Sequence, residues 1–259
     1  SRPGPQVDLD VHFIDVGQGD SILVVCNGEA MLIDGGDNDA EDIVPDYLQR
    51  QGVSHLNYIV ATHPHADHVG GLDAVAQTVT VDTVYTSCID YDTRSFRDFL
   101  TDVTAAGGSV EFPEPDSSFT LGGAVVTVLG PRTYNVPETW NNASIVLRLV
   151  YGGTSFLFTG DMEQAEEAEL LEAGCDVSCD VLKVGHHGSS TSSGYRLLYE
   201  AAPTAAVISC GAGNDYGHPH KEALSRLNDA GVSHILRTDQ SGSIVFHSDG
   251  TALTYTTEY

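Results

Sequence analysis

Apolar and polar residues alternate from Val7 to Val16, with Val7, Leu9, Val11 and Phe13 on one side, as in a strand with one buried face. Gly17-Gln18-Gly19-Asp20 reads as a turn, and 21–26 as a returning strand. Asn27-Gly28 is a hairpin signal that leads into a third strand at 30–33, closed by Asp34-Gly35-Gly36. Residues 40–51 place Ile43, Val44, Tyr47 and Leu48 on one helical face. The same reading gives strand 56–61, helix 69–77, strand 81–86, helix 93–106, a strand pair around 117–129 and a loop over 130–142. Strands at 143–150 and 154–159 follow, then helix 163–172, strand 180–184, helix 192–201, strand 205–209, helix 220–230 and strands at 233–236, 243–247 and 251–256. Strands come first, then helices and strands mixed, and the order then repeats. This predicts an α/β fold of two face-to-face sheets with helices outside, a four-layer αβ/βα sandwich. Residues 1–6 read as a linker or processed end and 7–259 as one domain.

The chain has 259 residues, 41% of them hydrophobic, enough for a sizeable core. No apolar run is long enough to span a bilayer, so the expectation is a soluble protein, exported if a leader preceded it. Charge changes the picture more. The 37 acidic residues against 11 basic give −26, spread along the whole chain, and the only lysines are Lys183 and Lys221. Such a surface suits a halophilic host, where dense screening makes the charge tolerable. An acidic face for a basic partner is the alternative, and no particular protein partner is indicated. The charge also argues against ordinary electrostatic binding of nucleic acid at low salt. The five cysteines are odd in number and form no C-x-x-C. Cys175 and Cys179 have the spacing of a weak metal or disulfide pair, and buried thiols are the simpler reading.

The chemistry concentrates in Thr62-His63-Pro64-His65-Ala66-Asp67-His68-Val69-Gly70-Gly71, on a predicted strand-to-helix loop. The H-x-H-x-D-H spacing suits two metal ions, His63 and His65 on one, Asp67 and His68 on the other. Asp161, after strand 154–159 in Thr-Gly-Asp, can bridge them; alone it would read equally well as a helix N-cap. His186 and His187 follow strand 180–184. Side chains adjacent on a strand end diverge, so one is expected to complete the second site and the other to serve substrate or proton transfer. His186 is the preferred ligand and His187 the helper. The first site wants a third His, and none lies between His68 and His186. Asn141 or Asn142 is the candidate supplement, a harder ligand that would tilt the site from zinc toward manganese, unless both are turn residues. Asp34 is expected to support the ligand loop from behind, and Asp20, with Asp15, flanks a Gly-rich turn suited to an anion or simply to a hairpin. The two histidines and the lysine of His218-Pro219-His220-Lys221 precede helix 220–230 and suit a phosphate, His220 above all, and Lys183 could serve the same way.

These motifs resemble those of the metallo-β-lactamase superfamily. Within it, Phe13-Ile14-Asp15-Val16-Gly17-Gln18-Gly19-Asp20-Ser21, Asn141-Asn142-Ala143-Ser144, Leu182 to Ser189 and Tyr216 to His220 resemble the C-terminal hydrolase domain of the DNA-uptake protein ComEC. The resemblance runs from about residue 9 to the end. It implies two divalent ions, zinc or manganese, and hydrolysis by a metal-activated water, with a phosphodiester, DNA among them, as substrate. A hydrolase of an ester, lactone, thioester or β-lactam is the alternative, and a metal-stabilised binding module a third. In the preferred reading His63, His65, Asp67, His68, Asp161 and His186 hold the metals, while Asp67, His187, His220 and Lys183 assist catalysis.

Overall fold

The computed structural model describes residues 8–88, 93–132 and 140–259. The linker expected at 1–6 and most of the loop expected at 130–142 therefore lie outside the described residues. Three antiparallel strands open the chain: β1 (Leu9–Phe13), β2 (Ile22–Cys26) and β3 (Glu29–Ile33). Asn27 and Gly28 both take positive φ, 49° and 83°, as a tight hairpin between twisted strands requires. Right after this, crossovers begin. Helix α1 (Ile43–Arg50) leads to β4 (His55–Ala61), α2 (Ala66–Val69) and α3 (Leu72–Thr78) to β5 (Thr80–Thr86), and α4 (Arg94–Ala105) to β6 (Ser109–Glu111). Strands β3 to β6 are parallel.

The second half repeats the plan. Strands β7 (Ser118–Leu121), β8 (Ala124–Gly130), β9 (Val146–Tyr151) and β10 (Thr154–Phe158) are antiparallel. They are followed by α5 (Gln164–Glu172), β11 (Val181–Lys183), α6 (Tyr195–Ala201), β12 (Ala205–Ile208), α7 (Lys221–Asp229) and β13 (His234–Arg237). From β10 to β13 the pairing is parallel. The chain then crosses back through α8 (Thr238–Ser241) to β14 (Ile244–Ser248) and β15 (Leu253–Thr257), which extend the first sheet beside β1. The sheets run β15-β14-β1-β2-β3-β4-β5-β6 and β13-β12-β11-β10-β9-β8-β7.

Three apolar layers hold this together. Between the sheets lie Val11, Phe13, Met31, Val60, Leu147, Phe156 and Phe158 with their neighbours. Outside the first sheet, Leu32, Ile59 and Val84 meet Leu48, Leu72 and Phe99 of the helices; outside the second, Leu157, Leu182 and Ile208 meet Leu170, Leu198 and Leu227. Both sheets are thus covered on both faces, which is why β12 and the end of β4, Tyr58 to Ala61, are apolar runs rather than alternating ones. Among the described residues no helix is long and apolar enough to cross a membrane. All five cysteines are free, so Cys175 and Cys179 form no bridge.

Several elements differ from the sequence reading. The three-residue β6 and the single-turn α8 are too short to leave a periodic signal. The helix expected at 69–77 is broken by Gly70-Gly71, because α2 already begins inside the His motif. The helix expected at 192–201 starts only at Tyr195, since the Glu167 carboxylate accepts from the backbone N–H of Ser193 (2.5 Å) and Gly194 (2.9 Å) and caps the helix from outside.

Candidate metal centre

The carboxyl ends of the parallel strands point to one edge of the sandwich, and the polar motifs sit on the loops that leave them. Asp34 follows β3, His63 to His68 follow β4, Asp161 follows β10, and His186 and His187 follow β11. The turn between β1 and β2 adds Asp20. Backbone bonds sew these loops together: Asp20 N–H donates to Asp67 O (3.1 Å), Gly36 N–H to Asp20 O (2.8 Å) and Gly35 N–H to His68 O (2.7 Å).

Asp161 is the hub. It is buried, and its two oxygens face different imidazole pairs. Oδ1 lies 3.1 Å from His68 Nε2 and 3.4 Å from His187 Nε2, whereas Oδ2 lies 3.7 Å from both His63 Nε2 and His186 Nε2. His63 Nε2 is also 3.2 Å from His65 Nδ1, and Asp67 Oδ2 is 3.0 Å from His187 Nε2. Ligand atoms of His63, His65 and Asp161 fall within 4.8 Å of one another, as do those of Asp20, His68, Asp161 and His187.

Outer contacts decide which ring nitrogen is left for a cation. His68 Nδ1–H donates to Asp34 Oδ2 (2.7 Å), and His187 Nδ1–H donates to the carbonyl of Ser209 (3.0 Å), with Asp20 Oδ1 at 3.3 Å. Both Nε2 lone pairs therefore face Asp161. Thr62 Oγ1 donates to Asp34 Oδ2 (2.7 Å), so toward His63 Nδ1 at 3.2 Å it is an acceptor, and His63 also presents Nε2 inward. Ser144 Oγ accepts from the Asp161 N–H (3.0 Å). Asp20 faces Nδ1 rather than Nε2 of His187, which makes it a support and not a ligand in this geometry.

The arrangement fits divalent cations. His68 Nε2 and Asp161 Oδ1 are both buried and without a hydrogen-bond partner although only 3.1 Å apart. A buried nitrogen and oxygen placed this way need a proton or a metal cation between them. Asn141 Oδ1 is likewise buried and unpartnered on the cleft wall. The electrostatics agree. Burial alone would raise the pKa of Asp161 and Asp67, yet the His187 and His68 rings hold Asp161 well below the usual carboxylate range, and His68 and His187 likewise depress Asp67. Burial alone would lower His68 and His187, yet Asp161 and its neighbouring carboxylates hold both well above the ordinary histidine value. His63 and His65 lie below it because burial dominates. Without metal, His68 and His187 thus carry the positive charge that a metal would replace, and loading expels protons.

The remaining candidates are placed as follows. His187, expected as a helper, sits with Asp67, His68 and Asp161; His186, expected in that set, reaches the other oxygen of Asp161, on the side of His63. The expected divergence of adjacent side chains assumed an extended strand end. His186 and His187 instead take left-handed φ of 48° and 53°, which turns both rings toward Asp161. Lys183 does not reach the cleft. It is buried, with Nζ 2.5 Å from Asp20 Oδ2 and 3.0 Å from the Val184 carbonyl. His220 accepts from Ser190 N–H through Nδ1 (2.9 Å) and donates to Tyr216 O from Nε2 (3.2 Å), so it braces a loop. Asn142 Oδ1 accepts from the N–H groups of Glu163 (3.1 Å) and Glu166 (3.4 Å), a helix cap, while Asn141 lines the cleft. Asp34 lies behind His68 and Thr62, its own pKa raised by burial against the pull of His68.

The cleft above Asp161 has a volume of about 580 Å³, and its wall includes Gln18, Asn141, His186, Asn214, Tyr216 and His218. His218, read with His220 and Lys221 as a candidate phosphate contact, stands on this wall. Burial, then the neighbouring His187 and His186, lowers its pKa to about 4, so its ring is neutral at neutral pH. Ser144, Ser209 and Thr62 were missed; as common neutral residues they carry no signal of their own.

Comparison with known proteins agrees with the geometry. The sequence model of the metallo-beta-lactamase superfamily matches residues 14–212. ComE operon protein 3 of Bacillus subtilis is 29% identical over 255 residues, covering 92% of this chain and 33% of the relative. Competence protein ComA of Neisseria gonorrhoeae is 32% identical over 251 residues, covering 93% and 33%. The chain therefore spans about a third of the length of these curated relatives. Among solved structures, the metallo-beta-lactamase fold protein YhfI of Bacillus subtilis superposes with a TM-score of 0.64 at 14% identity, over 93% of this chain and 100% of that one.

Proposed function

Because the chain belongs to the metallo-beta-lactamase superfamily, we propose that it is a metal-dependent phosphodiesterase acting on DNA. The observation that carries this reading is Asp161, whose two oxygens each face two imidazole Nε2 atoms. A carboxylate shared in this way could hold two divalent cations, the kind of pair that would support in-line displacement at phosphorus. Competence-protein relatives support DNA as the substrate. We assign His63, His65 and His186 with Asp161 to one ion, and Asp67, His68 and His187 with Asp161 to the other. His186 then supplies the imidazole that the sequence lacks between His68 and Asp161. The imidazole-rich sets suit zinc; Asn141 Oδ1, unpartnered on the wall, adds a harder ligand compatible with manganese.

When bound, the ions acidify a water and offset the charge that grows on the phosphoryl oxygens. The chain's own groups do the rest. Asp34, Ser209 and Thr62 fix the tautomers of His68, His187 and His63. Asp20, held by buried Lys183, keeps negative charge behind the His187 ring; burial would raise its pKa, but Lys183 and His187 depress it. Both nitrogens of His187 and of His220 are engaged, so the leaving oxygen takes its proton from solvent in the open cleft. The charge of −26 supports a salt-rich host, and a role in uptake would place the site outside the cell membrane.

A side-by-side assay separates this function from ester, lactone, thioester or β-lactam hydrolysis. With zinc or manganese, bis-p-nitrophenyl phosphate is expected to turn over with a kcat/KM at least about tenfold above that of p-nitrophenyl acetate relative to their uncatalysed rates. The reverse preference would reject the phosphodiesterase assignment.

A further inference from the structure

We propose that the cleft wall formed by Tyr216, His218 and Gln18 is a nucleoside subsite that receives the base next to the scissile phosphate; this rests on the phosphodiester reading above. Tyr216 is 67% exposed, yet its position is defined. Its ring is stacked on that of His218, with centroids 5.6 Å apart and planes within 16°. The His218 ring stands edge-on to His186, at 5.5 Å and 68°, and 6.0 Å from His187. Tyr216 and His218 both line the cleft, and the largely exposed Tyr216 ring stands one ring away from the imidazoles that surround Asp161.

The loop carrying this pair is built to hold it. Asn214 Oδ1 accepts from His218 N–H (3.0 Å), and its Nδ2 donates to the carbonyls of Gly211 (2.9 Å) and His218 (2.7 Å). His220 ties Tyr216 O to Ser190 N–H, and so joins the aromatic loop to the segment that follows His186 and His187. A large ring fixed in place with a face left in solvent has no packing role to account for it, but it suits a flat aromatic ligand.

Gln18 adds a polar partner. Its Oε1 accepts from Gly211 N–H (3.0 Å), which sets the amide orientation, and its Nε2 is buried on the cleft wall without a partner. An NH₂ group held on the same cleft wall as the imidazoles and the Tyr216 ring is a donor for a phosphate oxygen or a base carbonyl. A π-face and a neutral donor beside the proposed metal ligands together describe a nucleotide site. The net charge of −26 sharpens the point. A protein without a basic footprint gains little from distant phosphates, so recognition has to come from the unit bound at the site. Stacking of a base on an aromatic ring supplies it and tolerates any base.

The test is calorimetric titration of the zinc-loaded protein with thymidine 5′-monophosphate and with 1,2-dideoxyribose 5-phosphate, which carries hydrogen in place of the base. Wild type is expected to bind the nucleotide at least about tenfold more tightly, within the range that removal of one stacking ring produces. Tyr216→Ala should bring the two affinities together, and Tyr216→Phe should keep them apart. Equal affinities in wild type, no binding of the nucleotide, or a preference that survives Tyr216→Ala would overturn the subsite. Because no bond is broken in this titration, that outcome is distinct from absence of diester turnover.

Discussion

Glu167 is 3% exposed and its pKa is pushed up to about 7, by burial first and against the backbone N–H groups of Gly194 and Ser193 and the charge of Arg226. The unfolded reference is 4.5. A carboxyl whose folded pKa is raised opposes folding once it ionises, so the penalty is absent below about pH 4.5 and complete above about pH 7. Its size is about 3 kcal/mol at 1.36 kcal/mol per unit. Glu167→Gln removes the titration and retains an oxygen for the Ser193 or Gly194 N–H. The stability of Glu167→Gln relative to wild type, from urea unfolding, should therefore rise by about 3 kcal/mol between pH 4 and pH 8. A difference that stays constant across this range would show that Glu167 does not titrate as described. At the same scale, sequence and structure part company in a regular way. His63, His65, Asp67, His68 and Asp161 were legible because rare, chemically loaded residues fall at short spacings. Thr62, Ser144 and Ser209 were not, because a hydroxyl or carbonyl that fixes a tautomer is indistinguishable in sequence from any other. Lys183 was misplaced for the opposite reason. A lone lysine near a site reads as an anion contact, and only the fold shows it buried against Asp20.

The turn between β1 and β2 acts on the site as an element. Gly19 has φ of 141°, and a Cβ there would lie 2.4 Å from the Asp67 carbonyl, the oxygen that accepts from Asp20 N–H. Only glycine lets this turn close onto the His loop. Gly19→Ala should push the two loops apart and weaken metal affinity by about 10- to 100-fold, the range seen when supports behind ligands are lost. Competition with a chromogenic chelator would measure it, and unchanged affinity would mean that the turn does not position Asp67. The strands were largely readable, since alternating runs such as β1 and apolar runs such as β10 follow from one-sided and two-sided burial. The conformation after β11 was not. Two consecutive left-handed residues at His186 and His187 contradict local preference, and the loops converging on Asp161 are what select them.

The whole molecule explains why scattered motifs become one centre. Two sheets, each with a parallel half, bring the carboxyl ends of β3, β4, β10 and β11 to the same edge, and three apolar layers keep them there. That convergence was foreseeable from ligand groups that each close a strand. Which oxygen of Asp161 faces which histidine was not, because it depends on how the sheets pack. On a chain with a net charge of −26, the imidazole-lined cleft, loaded with divalent cations as proposed, would be the place for an anionic substrate. The most direct test of this centre is the hydrolysis of bis-p-nitrophenyl phosphate by metal-supplemented wild type and Asp161→Ala, each checked for folding by circular dichroism. Loss of the Asp161 carboxylate should lower kcat/KM by more than about a hundredfold in a folded protein. A folded Asp161→Ala protein that turns over the diester at the wild-type rate would contradict it.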